Sequence, residues 1–309
     1  MGHREASILK FHVNVMGRSK IWFSISGVII LIGILAIIFR GFSWGIDFTG
    51  GTIMEFNIGH SFDTKEITQI LDKYKVGDYQ IQKLGSKGDG VSIKTKVLPD
   101  NVRISIIKDI ESKYNLTDKD LISSQQVGPS LGSEIKFGTF LAAGIAALLM
   151  LTYLGLRFNF EMSLAAVLAL IHNVFILISV YAVFHITVDA PFIAAILTVF
   201  GYSVHDTIII FDRIRDNLKI MRKSSYDEIA NISVNQTMGR SINTVITVLI
   251  MLLLMYFLGP SALKDFALPL IIGITWGAYS SIFIASPLWV LIKNKEKGKK
   301  VINKPAKVQ

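Results

Sequence analysis

Long apolar runs separated by short polar breaks fill most of this chain, and a single long mixed interval interrupts them after the first run. A helix crossing a bilayer needs roughly 20 consecutive apolar residues. Six stretches meet that requirement, approximately Ile21–Phe39, Phe137–Leu156, Ser163–Phe184, Pro191–Phe211, Ile242–Leu258 and Phe266–Ile292. The first is expected to stay as an anchor and not to be cleaved. Twenty residues precede it, and Arg40-Gly41-Phe42 stands where a small-residue cleavage site belongs.

The interval 40–134 changes period and reads as a folded α+β domain. Met54, Phe56 and Ile58 alternate, as do Val91, Ile93, Thr95 and Val97 against Ser92, Lys94 and Lys96, which is the period of half-buried strands. Between them Ile67, Ile70, Leu71 and Tyr74 fall at helical spacing, with Asp63 and Glu66 placed as a capping box. Asp100 after Pro99 starts a second helix whose inner stripe is Ile107, Ile110 and Tyr114. With Tyr79–Gly85 and Asp120–Val127 as strands the order is βαββαβ, a ferredoxin-like sandwich of roughly 80 residues with two helices on one sheet face. The fold class is therefore a six-helix polytopic membrane protein with a small α+β domain between helices one and two.

Composition agrees with this and excludes other classes. The chain is 51% hydrophobic and 18% charged, with mean hydropathy +0.50. Soluble domains carry about 25% charged residues. The net charge of +9 would raise nucleic acid as a partner in a soluble protein, so its placement matters. Lys and Arg number four in 1–20, one in 157–162, six in 212–241 and seven after Ile292, against only Lys264 in the two alternate loops. The asymmetry places both termini, the 212–241 loop and the basic tail 293–309 in the cytoplasm, and the 40–134 domain on the far side. The excess is orientation signal, and nucleic acid drops out. The tail can also meet anionic lipid. With no cysteine, disulfides, thiolate chemistry and Cys-ligated metals are excluded.

Scarce charges inside the apolar runs carry the functional signal. Asp206 lies in the fourth span, about 6–9 Å below the cytoplasmic interface at 1.5 Å per residue. An acidic group at mid-bilayer costs about 2.5–3.5 kcal/mol on insertion scales and less near the edge, and by default it faces the bundle interior. Ser203, Tyr202 and Thr198, three, four and eight residues earlier, extend a polar stripe from it. Proton or ion handling competes here with a plain interhelical hydrogen bond. Arg240 opens the fifth span, with Asn243, Thr244 and Thr247 on its face. Spans four and five run antiparallel, so an Asp206–Arg240 pair is geometrically allowed, while topology anchoring is the competing role for this arginine. His172 and Asn173 stand mid-span in the third helix, suited to a proton relay or to packing. His205 adjoins Asp206 but points about 100° away. Recurring small residues, Gly273, Gly277, Ser281 and Ala285 in the sixth span and Gly138, Ala142 and Ala146 in the second, read as close helix packing.

No enzyme, metal or cofactor chemistry is expected. Ser203 and His205, two apart on a helix, diverge and cannot make a nucleophile–base pair. No phosphate-binding loop is present, so energy must come from an ion gradient or a partner.

Specific segments resemble a known family. Gly45-Ile46-Asp47-Phe48-Thr49-Gly50-Gly51-Thr52 after the first span is similar to the signature of the SecD/SecF protein-export subunits, a branch of the resistance-nodulation-division superfamily. Val127-Gly128-Pro129-Ser130 resembles the segment leading into that family's membrane half. Gly201-Tyr202-Ser203-Val204-His205-Asp206-Thr207, continuing to Phe211-Asp212-Arg213-Ile214-Arg215-Asp216-Asn217, resembles its fourth-span motif, and Gln236-Thr237 with Arg240-Ser241 its fifth-span start. The resemblance covers about residues 15–292. It implies a bacterial inner-membrane subunit that works with SecD at the SecYEG channel, with YajC as a further partner, using the proton-motive force to draw exported unfolded polypeptides outward. It also implies that Asp206 and Arg240 are transmembrane charges of proton conduction. Two positions depart from the family pattern. Asn173 stands where Asp is common and His205 where Asn is common, which suggests a locally rearranged proton route that includes His205. An independent half-transporter exporting a lipid or drug, and a passive scaffold in which Asp206 is structural, are the competing readings. Na⁺ in place of H⁺ stays open, because a lone carboxylate serves both.

Overall fold

The structure is a computed structural model that describes residues 13–85 and 88–302. The outer parts of the expected N-terminal segment and basic tail, 1–12 and 303–309, lie outside the described residues. In chain order the elements are α1 (Ser19–Arg40), α2 (Ile46–Thr49), β1 (Gly51–Asn57), α3 (Thr64–Lys73), β2 (Tyr79–Leu84), β3 (Gly90–Thr95), α4 (Asp100–Tyr114), β4 (Leu121–Val127), α5 (Pro129–Arg157), α6 (Phe160–Val183), α7 (Ala190–Ile220), α8 (Tyr226–Leu258), α9 (Ser261–Ser280), a π-helical turn (Ser281–Ala285) and α10 (Ser286–Ile302). They form two units. One is Trp44–Ala142 with Thr187–Ala190; the other holds the remaining helices.

The α+β unit has the expected βαββαβ order. Its four strands pair antiparallel in the order β2-β3-β1-β4. Met54, Phe56, Val91 and Ile93 project from the central strands onto Ile67, Leu71, Ile106 and Ile110 of the two helices, all eight fully buried. The inner stripe of α4 is thus Ile106 and Ile110, with Ile107 and Tyr114 only partly covered. Asp63 caps α3 through Lys65 N at 3.0 Å, but the reciprocal half of the capping box is absent. Glu66 instead accepts the Tyr114 hydroxyl at 2.9 Å, tying the two helices together. On β3 the strict alternation fails at both ends: Ser92 is buried and Val97, past the strand end, is exposed.

Six helical segments are long and apolar enough to cross a membrane, which makes the chain a multi-pass membrane protein. Five contain their expected spans and the third, Phe160–Val183, stops one residue short of Phe184; several continue well beyond the expected ends. Hydropathy marks the part that suits hydrocarbon, whereas the hydrogen-bonded helix runs on into polar sequence. The 212–241 segment, expected as a loop, is helical except at 221–225, because α7 runs on to Ile220 and α8 starts at Tyr226. The start of α8 had a local signal: Ser225 accepts from Glu228 N at 3.2 Å, within the Ser-x-x-Glu pattern of a helix start. The sixth span is not one regular helix either. It breaks into α9, the π turn and α10.

Burial is unequal among the spans. Half or nearly half of the apolar window is buried in the third (50%), fourth (44%) and sixth (56%), against 11%, 6% and 17% in the first, second and fifth. The interior belongs to the first trio. Small residues set their approach: a side chain added at Gly273 would overlap Val199, and one at Gly277 would press on Asn173 and Ser203. Gly33, unremarked in the sequence, does the same for α1, where a side chain would collide with Ser179 of α6. At Gly138, in the stripe of the second span, an added Cβ meets nothing within 4 Å among the described residues.

Candidate functional site

Asp206 stands on α7 with 2% of its surface exposed. Its Oδ1 accepts the hydroxyl of Ser241, a fully buried residue of α8, at 2.6 Å. Its Oδ2 is buried with no hydrogen-bond partner, and the carboxylate has no ion pair among the described residues. Of the two roles left open for Arg240, a pair with Asp206 is not formed among the described residues; its place is taken one residue along α8. Arg240 is exposed, and Ser241, about 100° round the helix, meets the carboxylate.

What fixes this contact is a polar seam between α7 and α8. Asn217 Nδ2 donates to Ser233 Oγ at 2.8 Å and to Gln236 Oε1 at 2.9 Å, and Arg213 Nε donates to Gln236 Oε1 at 2.6 Å. Moving back along α7 from Asn217 to Arg213 to Asp206 moves forward along α8 from Ser233 to Gln236 to Ser241. That is an antiparallel register locked by side chains. The charged run after the fourth span is therefore an assembly device. Asp212 serves it too, receiving Arg157 through both carboxylate oxygens at 3.1 and 2.9 Å; Arg215 lies 3.9 Å from the same group.

A second polar cluster faces the sixth span. Thr207 donates to the Ser203 carbonyl at 2.9 Å and shares a hydroxyl–hydroxyl bond with Ser281 at 2.8 Å, while the Ser281 hydroxyl also lies 3.3 Å from that carbonyl. Ser281 opens the π turn, and Ser286 returns a hydrogen bond to the Ser281 carbonyl at 3.3 Å. π turns inside helices concentrate at functional sites. Asn173 is buried, donating to Gly273 O at 3.3 Å while its Oδ1 has no partner. His172, half-buried, stacks on Tyr279, with both ring nitrogens unpartnered among the described residues. Gly201 and His205 are exposed, Tyr202 is half-buried and Ser203 is buried.

Sequence reasoning placed Ser241, Gln236 and Asn217 only within family-like motifs and read Ser281 only as a small packing residue. Ser233, Thr237 and Ser241 at four-residue spacing were the available signal for one buried polar face of α8. Asn231 and Asn235 share that spacing and do another job. Asn231 Oδ1 accepts from Val15 N and Met16 N at 2.9 and 3.0 Å, and Asn235 grips Val13 through both its N–H and its carbonyl. The chain entering α1 is thereby hooked to α8.

The glycine motif after the first span builds a turn. Gly50 and Gly51 have φ of +70° and +145°. A side chain at Gly50 would meet Pro129, and one at Gly51 would lie 2.6 Å from the Thr95 carbonyl, so only glycine fits. Gly45 N donates to Val188 O at 2.7 Å, and Asp47 Oδ2 accepts from Ala190 N at 2.9 Å. Phe48 is buried and packs edge-on against Trp44. Asp47 thus ties the turn to the 187–190 connection.

Chemically, the arrangement around Asp206 offers a buried acid surrounded by neutral oxygen groups, with one oxygen unfilled. A buried carboxylate is costly unless paired, and no cation touches this one among the described residues. It can take up and release a proton, or hold a small cation.

Known proteins place this geometry in context. The family described as "Protein export membrane protein SecD/SecF, C-terminal" matches residues 106–295, and the "SecD/SecF GG Motif" matches 35–57. The "Protein translocase subunit SecF" of Alicyclobacillus acidocaldarius is 34% identical over 295 residues, covering 93% of this chain and 95% of that one. The "Protein translocase subunit SecDF" of Thermus thermophilus is 34% identical over 263 residues, covering 84% of this chain and 35% of that one. A crystal structure of SecDF from the same organism, described as a translocon-associated membrane protein, superposes with a TM-score of 0.84 at 31% identity. It matches 94% of this chain, which spans 39% of that longer polypeptide. This chain belongs to the SecD/SecF family of protein-export membrane proteins.

Proposed function

We propose that this chain is a proton-coupled accessory subunit of the Sec translocase, acting with SecD to promote late steps of export through SecYEG. Asp206 is the coupling group. The observation that carries this reading is a carboxylate buried in an interhelical seam, with a serine hydroxyl on one oxygen and no partner among the described residues on the other. A purely structural acid in such a place would be expected to fill both oxygens or to meet a cation, since an unmatched buried charge is destabilising. Arg240, exposed on α8 one residue before Ser241, adds positive charge to that stretch of the helix, and His172 on α6 has both ring nitrogens unpartnered among the described residues.

The basic residues of the countable loops support an orientation with both termini on the cytoplasmic face and the α+β unit on the far side, and the family supports a bacterial inner membrane as the setting. That unit devotes its interior to a packed core of Met54, Phe56, Ile93 and their neighbours, which suits a rigid module working on an exported chain better than a small-molecule porter. Partnership with SecD is supported by relatives in which both halves form one polypeptide called SecDF.

The test uses membrane vesicles containing the chain with SecD and SecYEG, with export driven by an imposed gradient of H⁺ or of Na⁺. Asp206→Asn is expected to assemble normally and to lose the stimulation by the H⁺ gradient. Unaffected export would leave the protein a scaffold, and stimulation by Na⁺ alone would change the coupling ion.

A further inference from the structure

The two oxygens of Asp206 differ. Oδ1 is held by the Ser241 hydroxyl at 2.6 Å, whereas Oδ2 is buried with no hydrogen-bond partner among the described residues. Ser241 has no exposed surface. Five residues earlier Gln236 is clasped by Arg213 and Asn217 of α7, which holds the register that brings Ser241 to the carboxylate. The donor therefore arrives at the carboxylate in one orientation, set by the seam.

We infer that Ser241 is the positioning residue for the coupling carboxylate: by occupying Oδ1 it leaves Oδ2 as the oxygen that takes up and releases the proton. The inference rests on the proposed role of Asp206. The step is a plain acid–base exchange. A hydronium ion gives its proton to Oδ2, an O–H bond forms there, and water leaves; Ser241 keeps its own proton throughout. The bond from Ser241 is charge-assisted while the carboxylate is ionised, and such bonds are roughly twice as strong as neutral ones. Protonating Oδ2 makes Oδ1 a neutral carbonyl and weakens the same bond. The protonation state is thus read out as the strength of one α7–α8 contact, at the buried end of a seam whose other bonds do not titrate with it.

Other titratable or charged groups surround the site without replacing this donor. Tyr202 and His205 flank Asp206 on α7, Arg240 precedes Ser241 on α8, and His172 of α6 stacks on Tyr279 of α9. Among the described residues, none of these forms an ion pair or hydrogen bond with Asp206.

The experiment measures H⁺-gradient-driven proton uptake against pH in proteoliposomes holding the full chain with its SecD partner. Ser241→Ala is expected to displace the pH profile by about one unit toward higher pH, about tenfold in proton concentration, because a hydrogen bond that favoured the charged form is gone. Ser241→Thr restores the hydroxyl and the original profile. Asp206→Asn abolishes uptake at every pH. A Ser241→Ala profile that coincides with the wild type, or falls uniformly without moving, overturns the assignment of Ser241 while the Asp206→Asn loss leaves the coupling role standing. Uptake that survives Asp206→Asn overturns the coupling role itself. If Ser241→Ala fails to accumulate, Ser241→Cys is read by the same criteria, its weak S–H donor giving a displacement in the same direction.

Discussion

Asp109 in the α+β unit and Asp206 in the helical unit each accept a short hydrogen bond, and the resemblance ends there. Asp109 receives Lys73 Nζ at 2.7 Å and the Tyr74 hydroxyl at 2.9 Å, at the solvent-reachable surface between α3 and α4. The hydrogen bond from Lys73, then that from Tyr74, holds its carboxyl below the usual range. Nearby pairs such as Asp78 with Lys96 repeat the pattern. Water screens such pairs and leaves them little stabilising power. Asp206 is buried and, among the described residues, has one hydroxyl as its hydrogen-bond partner and no ion pair. Where charges are matched and wet, the unit is an ordinary folded domain. Where a buried carboxylate has one hydroxyl and no cation among the described residues, the proposed coupling role has its footing.

The comparison can be broken at either end. The largest effect is expected at Asp206: Asp206→Asn should cut gradient-stimulated export by about 100-fold or more, to the gradient-independent level, while the chain still accumulates and binds its partner. This tests whether the proton-accepting atom itself is needed. Next, Ile110→Ala in the core of the α+β unit should destabilise that unit by about 2–5 kcal/mol, as large-to-small core changes do. Denaturant unfolding of the detergent-solubilised chain, followed by hydrogen exchange of the sheet amides, reads it. Gln236→Ala removes the acceptor shared by Arg213 and Asn217 and should cost about 1–3 kcal/mol in the α7–α8 seam, seen as faster exchange in residues 213–220 and 226–236. The smallest effect belongs to Asp109→Asn. Because its folded-state pKa is depressed, the wild-type advantage is present above the unfolded carboxylate value and disappears as pH falls through the folded one. Unfolding midpoints of the two proteins should therefore differ slightly at neutral pH and converge in acid.

The α+β unit was largely legible because alternation on strands and stripes on helices are local patterns; only its finer contacts departed, as when Glu66 turned from the Asp63 cap to Tyr114. The spans were legible as positions, since apolar length is a direct physical requirement. Their true ends were not, because helices extend into polar sequence when side chains such as Asn217, Ser233 and Gln236 find partners across the gap. Asp206 stood out as a charge in the wrong solvent. Its partner did not, because a one-residue step along α8 exchanges Arg240 for Ser241, and charge alone favours the arginine. The π turn was illegible for a related reason: Ser281 read as a small packing residue, and only its bond to Thr207 shows its polar role.

The central claim is that Asp206 carries the proton on which coupling depends. Its most direct test is proton uptake by proteoliposomes containing the full chain and SecD, followed with an entrapped pH dye after an imposed gradient. The wild type is expected to acidify the lumen and Asp206→Asn to leave it unchanged from protein-free vesicles. Equal acidification by the two proteins would contradict the account.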